Sequence, residues 1–221
     1  MLTLALDTST SAIGVAVLRD GEEPVVGVEV NARAHTELLA PLVERTLAKA
    51  GAGVRDVTDL AVGTGPGPFT GLRVGMVTAV TMGYALDVPV HGVCSLDVLA
   101  EQALAATDAD EVLVAIDARR REVYWARYRR GSDGAAEAVT EPAVEAPAGL
   151  PADVRALPTA GRGPLLYADL FEAPLADVLD VDPGVLAQVA ARRLAAGTPM
   201  PVEPLYLRRP DALTTAERAA R

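Results

Sequence analysis

Two strings in this chain combine residue types and spacing that could do chemistry. The first, DTSTSAIGVAV, sets Asp7, Thr8 and Ser9 where an apolar run meets a tight turn. A carboxylate beside hydroxyls and exposed backbone N–H groups can hold a phosphate and its magnesium. The same residues can instead close the turn on themselves through side-chain hydrogen bonds. The second string, GTGPGPFTGLRVG over 63–75, has glycines for tight turning, Pro66 and Pro68 to stiffen the loop, and Thr70 to cap a helix beginning near Gly71. N–H groups at such a helix start can attract an anion. The spacing Gly65-x-Gly67-x-x-x-Gly71 nevertheless matches neither the dinucleotide fingerprint nor a phosphate loop.

The remaining reactive residues are few. His35 falls in the first turn of a helix, a place for capping or partner contact, and His91 lies in an apolar strand, where a buried, hydrogen-bonded imidazole is expected. Cys94 has neither histidine placed to activate it by a recognisable motif. With one Cys and two His the chain has no disulfide framework and no all-protein His/Cys metal cage. Its only lysine, Lys49, sits in TLAKAGAG, which is not a phosphate loop. Arg119, Arg120 and Arg121 make a local basic turn that water, an acidic partner or a phosphate could occupy.

The elements that must position these residues follow from periodicity. LTLALDT and AIGVAVLRDGEEPVVGVEV alternate as the strands of a meander. HTELLAPLVERTLAKAG places Leu38, Leu39, Leu42, Val43 and Leu47 at helical spacing, with Gly51 at the C-terminal cap. DLAVGTGPG reads as a buried strand into a turn, and GLRVGMVTAVTMGYALD as a helix stopped at Asp87 before Pro89. PVHGVCS is a strand and LDVLAEQALAAT a helix. The pattern then restarts: VLVAID ends in Asp117 as LTLALD ends in Asp7, and each is followed at once by another strand. This repeat predicts an internally duplicated, two-lobed fold. Short elements and loops follow over 135–164, then a helix in VDPGVLAQVAARRLAAG and a proline-broken tail.

The helix after the glycine loop is apolar on nearly every side, through Val74, Met76, Val77, Ala79, Val80, Met82, Tyr84, Ala85 and Leu86. Such a helix is either enclosed by its own chain or covered on one face by another. Gly71, Gly75 and Gly83 would permit close helix–helix approach.

At 221 residues and 22.9 kDa, half apolar and 23% charged, the chain can close a real core. Thirty acids against twenty bases give −10, with a pI near 4.7. That balance repels RNA as a whole, so any RNA is expected to be held by another protein. A lone cysteine suits a reducing cytoplasm, the start MLTLALDTST lacks the positive region of a signal sequence, and no run reaches the roughly 20 apolar residues of a membrane span.

LALDTST, HTELL, GTGPGPFTGLRVG, VCSLDVLA, IDARRREVYWARY and EPLYLRRPDA occur in the order found in the TsaB (YeaZ) family, which the chain resembles over nearly its whole length. The resemblance implies an α/β fold of the actin, sugar-kinase and Hsp70 kind (RNase H-like), two-lobed and duplicated, with a mixed sheet in each lobe. An N-terminal lobe of 1–105, a C-terminal lobe of 106–205 and a tail of 206–221, packed back on the first lobe or disordered, are expected. The implied role is a non-catalytic subunit in making N6-threonylcarbamoyladenosine at position 37 of tRNA. It would pair with the catalytic TsaD, be joined by the ATPase TsaE, pair with itself when alone, and meet tRNA only through the complex.

The departures agree with a pseudo-enzyme. The catalytic relative's HxxxH aligns with Ser95 and Leu99, and its second phosphate turn is replaced by Asp117, Ala118 and three arginines. Asp7, Thr8 and Ser9 remain as a vestigial phosphate turn. The chain alone is expected to bind no cofactor tightly, with ATP or ADP placed at the complex interface. The expected partner surface comprises His35, Leu38, Leu39, Leu42, Gly71, Val74, Gly75, Val77, Thr78, Thr81 and Met82. The rival reading is an enzyme of the same fold, either an ATP-dependent small-molecule kinase or a metallopeptidase.

Overall fold

The computed structural model describes residues 1–208; of the expected tail, 209–221 lie outside the described residues. The first half runs β1 (Leu2–Asp7), β2 (Ala12–Arg19), β3 (Val25–Val30), α1 (His35–Lys49), β4 (Asp59–Gly63), α2 (Phe69–Leu86), β5 (Val90–Val93) and α3 (Ser95–Ala105). The second runs β6 (Glu111–Asp117), β7 (Val123–Arg130), β8 (Ala136–Ala138), β9 (Ala143–Glu145), α4 (Ala152–Arg155), β10 (Pro158–Ala160), α5 (Gly163–Leu166), β11 (Ala173–Pro174) and α6 (Pro183–Ala195). Among these helices none is long and apolar enough to cross a membrane.

The two halves repeat one topology. The first sheet has the order β3-β2-β1-β4-β5, and the second β8-β7-β6-β10-β11, with β9 also paired to β7. In both, the opening hairpin is antiparallel (β1 with β2, β6 with β7) and the next two strands add in parallel. The two-lobed, duplicated α/β fold with a mixed sheet in each lobe is therefore present. The halves differ in cover. The first sheet's outer face carries the long α1 and α2, whereas α4 and α5 in the second half have four residues each.

The closing helices are exchanged between the lobes. Helix α3, from the first half, packs on β6, β7, β8 and β10, while α6, from the second, packs on β1 to β5. Packing therefore divides the molecule differently from a cut by residue number at 105. Side-chain alternation explains the fit. Leu4 and Leu6 of β1 enter the core under α1 and α2, while Ala5, with Ala16 and Ala61, faces the core between the sheets. That inner face is small because α6 lies flat on it: a Cβ on Gly14 would stand 3.1 Å from Pro183. Asp182 caps α6 by accepting from the N–H groups of Gly184 and Val185. Asp97 on α3 accepts from Tyr128 of β7 at 2.8 Å and from Arg193 of α6 at 2.7 Å, which ties the exchanged helices to the second sheet.

Candidate functional site

The two strings read as chemistry lie against each other. Asp7 ends β1 inside the molecule, 1% exposed. Its Oδ1 accepts from the N–H and hydroxyl of Ser9, both at 2.8 Å, and its Oδ2 accepts from the Ser95 hydroxyl at 2.8 Å. Ser95 Oγ in turn accepts from the Gly65 N–H at 3.2 Å. Burial pushes the Asp7 carboxyl above its ordinary value, against the lowering effect of the Ser9 and Ser95 hydrogen bonds. Thr8 Oγ1 donates to the Gly71 carbonyl at 2.7 Å and accepts from the Gly75 N–H at 2.9 Å. Asp7, Thr8 and Ser9 are thus brought together, but their hydrogen-bonding groups are spent on their own chain.

The glycines of the second string exist for this contact. A Cβ on Gly63 would stand 1.8 Å from Asp7 Oδ2, one on Gly67 2.4 Å from the Ser9 carbonyl, and one on Gly75 2.5 Å from Thr8 Oγ1. The expected helix–helix role of Gly71, Gly75 and Gly83 is corrected: Gly71 and Gly75 admit Thr8, and Gly83 admits Val90. Thr70 does not cap α2 either, because the helix already begins at Phe69, with Pro68 at the cap position and no capping side chain.

The second half repeats the turn. Asp117 Oδ1 accepts from the Arg119 N–H at 2.7 Å, as Asp7 Oδ1 does from Ser9. Between the two turns opens a cleft of about 150 Å³, lined among others by Thr10, His35, Thr70, Asp117, Arg119 and Arg162. Ligand pockets usually hold roughly 300–1,000 Å³, so this one is small for a nucleotide. His35 is buried beneath it, with Nε2 3.2 Å from the Thr10 carbonyl. His91 meets Asp59 at 3.1 Å, as expected of a hydrogen-bonded strand imidazole. Cys94 is inert, its thiol pushed up to about 12, chiefly by burial and then by Asp97. Among the described residues no three His, Cys, Asp or Glu side chains gather as a metal site.

The largest chemically unexplained feature is the outer face of α2. Phe69 is 55% exposed, Val77 61%, Val80 48% and Tyr84 90%. Their spacing of about one helical turn makes a single stripe, and Arg73 is the one charged residue in the helix. Thr81 is exposed on the same side, and Val74, Thr78 and Met82 are half-buried beside it. The segment after α6 borders this stripe. Leu205 donates to the Thr64 carbonyl at 2.9 Å, Arg73 donates to the Tyr206 hydroxyl at 3.0 Å, and the Phe69 and Tyr206 rings lie 5.4 Å apart.

Helix α1 is different. Its outward positions include Glu37, Glu44, Arg45 and Lys49, an ordinary solvated face. Leu39 and Leu42, expected at a partner surface, are 2% and 3% exposed in the core beneath the helix. They are corrected to core residues, as are the buried His35, Gly71 and Gly75; Leu38 is half-buried. Sequence reasoning missed Phe69, Val80, Tyr84 and Tyr206. The first three were available in the 69-73-77-80-84 spacing, but nothing local places Tyr206 beside them.

Comparison with known proteins gives a consistent set. The family model described as TsaD, tRNA N6-adenosine threonylcarbamoyltransferase, matches residues 24–168. A protein of Mycobacterium tuberculosis described only as uncharacterized is 46% identical over 95% of this chain and 92% of its own length. The Escherichia coli tRNA threonylcarbamoyladenosine biosynthesis protein TsaB is 40% identical over 61% of this chain and 58% of its own. The solved structure of YeaZ from Pseudomonas aeruginosa superposes with a TM-score of 0.81 at 32% identity, covering 93% of this chain and 99% of that one.

Proposed function

This chain belongs to the TsaB (YeaZ) family, and on that basis we propose that it is a non-catalytic subunit for making N6-threonylcarbamoyladenosine in tRNA. It pairs with a TsaD-type catalytic chain, activates it, and supports attachment of the TsaE-type ATPase. When alone it pairs with itself through the same surface. The observation that carries this reading is the apolar outer stripe of α2, with Arg73 its one charge, in a chain of net charge −10. Interface cores are depleted in charge and enriched in aromatic residues, as this stripe is through Phe69 and Tyr84. The helix contains six β-branched residues and three glycines, so its own propensity is poor and packing must hold it.

The internal use of Asp7, Thr8 and Ser9 supports a scaffold over a kinase, because the side chains of these three residues are spent on their own chain rather than on a phosphate. Nucleotide, on this reading, sits at the boundary with the partner. The test is co-purification of the chain with its cognate TsaD-type subunit, followed by a tRNA modification assay with the chain left out. Stable pairing and loss of modification on omission are expected. Modification that proceeds without the chain would overturn the subunit reading.

A further inference from the structure

The mouth of the inter-lobe cleft carries positive charge in a strongly acidic chain. Arg33, leading into α1, lines it on one side and Arg119 on the other; Arg119 begins the tip of the β6–β7 hairpin, which Arg120 and Arg121 continue beyond the lining. The nearby acids are already matched: Asp117 with Arg119 at 3.0 Å, Asp180 with Arg162, and Glu122 with Arg208. The guanidinium groups of Arg33 and Arg121 form no hydrogen bond or ion pair among the described residues. Both are exposed.

The backbone of the tip is the second observation. Arg119, Arg120 and Arg121 have φ of 63°, 55° and 66°, three consecutive residues in the left-handed region. Side chains there crowd the following carbonyl, and glycine or asparagine would adopt the conformation with less strain. Arg208 holds the hairpin in place by donating to the Ala118 carbonyl at 2.8 Å. A strained, fixed and exposed tip of planar cations marks a binding element. Guanidinium groups match phosphate oxygens two at a time, and the hydroxyls of Ser11, Thr36 and Thr70 line the same mouth.

We propose that Arg33 and Arg119 at the cleft mouth, with Arg121 next to them in the hairpin tip, form a basic rim that is this chain's own contact with backbone phosphates of the tRNA. The inference rests on the subunit reading above. Net charge −10 keeps the isolated chain from holding RNA, so the rim acts after a partner has brought the RNA to the cleft. Its contribution is orientation, through phosphates on either side of the cleft mouth.

The test uses the assembled complex carrying Arg33→Gln and Arg121→Asn, the asparagine chosen because it tolerates the left-handed backbone. Affinity for tRNA is measured by fluorescence anisotropy between about 50 and 200 mM salt. Weaker binding at low salt is expected, with a log–log salt slope shallower by about 1.5 for the two contacts, at roughly 0.7–0.9 each. Pairing with the catalytic subunit stays as in the wild type. An unchanged affinity and slope would overturn the proposal. So would loss of pairing by a folded variant, which would assign the rim to a protein contact. Arg121→Gly, which relaxes the backbone while removing the charge, repeats the test should Asn disturb the hairpin. Failure of the wild-type chain to pair at all would instead remove the subunit reading, and this inference with it.

Discussion

Asp7 shows how a residue that looks catalytic becomes structural. Its carboxyl is raised above the ordinary 3.8 because burial penalises the charged form more than three hydrogen bonds favour it. A folded-state value above the unfolded one means that its stabilising contribution is complete at low pH and declines as pH rises through the folded value. Asp7→Asn removes that decline. Its melting temperature relative to the wild type should therefore climb as pH rises above the ordinary carboxylate range, as read by thermal denaturation; a flat or falling difference would contradict the assignment. Gly67→Ala tests the neighbouring contact. Its Cβ would meet the Ser9 carbonyl at 2.4 Å, a backbone atom that cannot turn aside. Overpacking of this kind costs about 1–3 kcal/mol, seen as a lower urea midpoint. Both residues were legible in the sequence as a pair of unusual strings. Their mutual contact was not, because nothing in either string says that Ser95, from a third segment, closes the turn.

At the scale of elements, α2 and α1 separate two kinds of apolar position. Val77 faces outward, so Val77→Glu leaves the fold intact yet puts an unpaired charge into a covered stripe. A buried, uncompensated charge costs about 3–5 kcal/mol, which corresponds to at least a hundredfold weaker pairing. Size-exclusion chromatography with light scattering reads that loss; pairing at wild-type strength would displace the interface from this face. Leu39 faces the core, and Leu39→Ala should cost about 2–5 kcal/mol of stability, with pairing retained by the folded fraction. Periodicity located both helices to within a few residues. It could not say which apolar face of α1 is internal, since that depends on where β2 and β3 lie beneath it. The charged residues Glu37, Glu44, Arg45 and Lys49 carried the answer and were outweighed by the leucines.

The whole molecule is a duplication whose halves have specialised. The repeated strand-Asp-hairpin pattern was readable because β1 and β6 are short, strongly apolar and end in the same residue type. The exchange of α3 and α6 was not readable, because each is an ordinary apolar helix and only the assembled sheets decide which it covers. Short α4 and α5 leave the second lobe without an equivalent of α2, so among the described residues the long helix with an apolar outer stripe belongs to the first lobe. The account turns on that helix serving another chain. Its most direct measurement is tRNA threonylcarbamoylation reconstituted from purified components, comparing the wild-type chain, Val77→Glu and omission. The account predicts modification with the wild-type chain, and the same near-background level for Val77→Glu as for omission. Full modification with Val77→Glu, at a concentration where light scattering shows it unpaired, would contradict it.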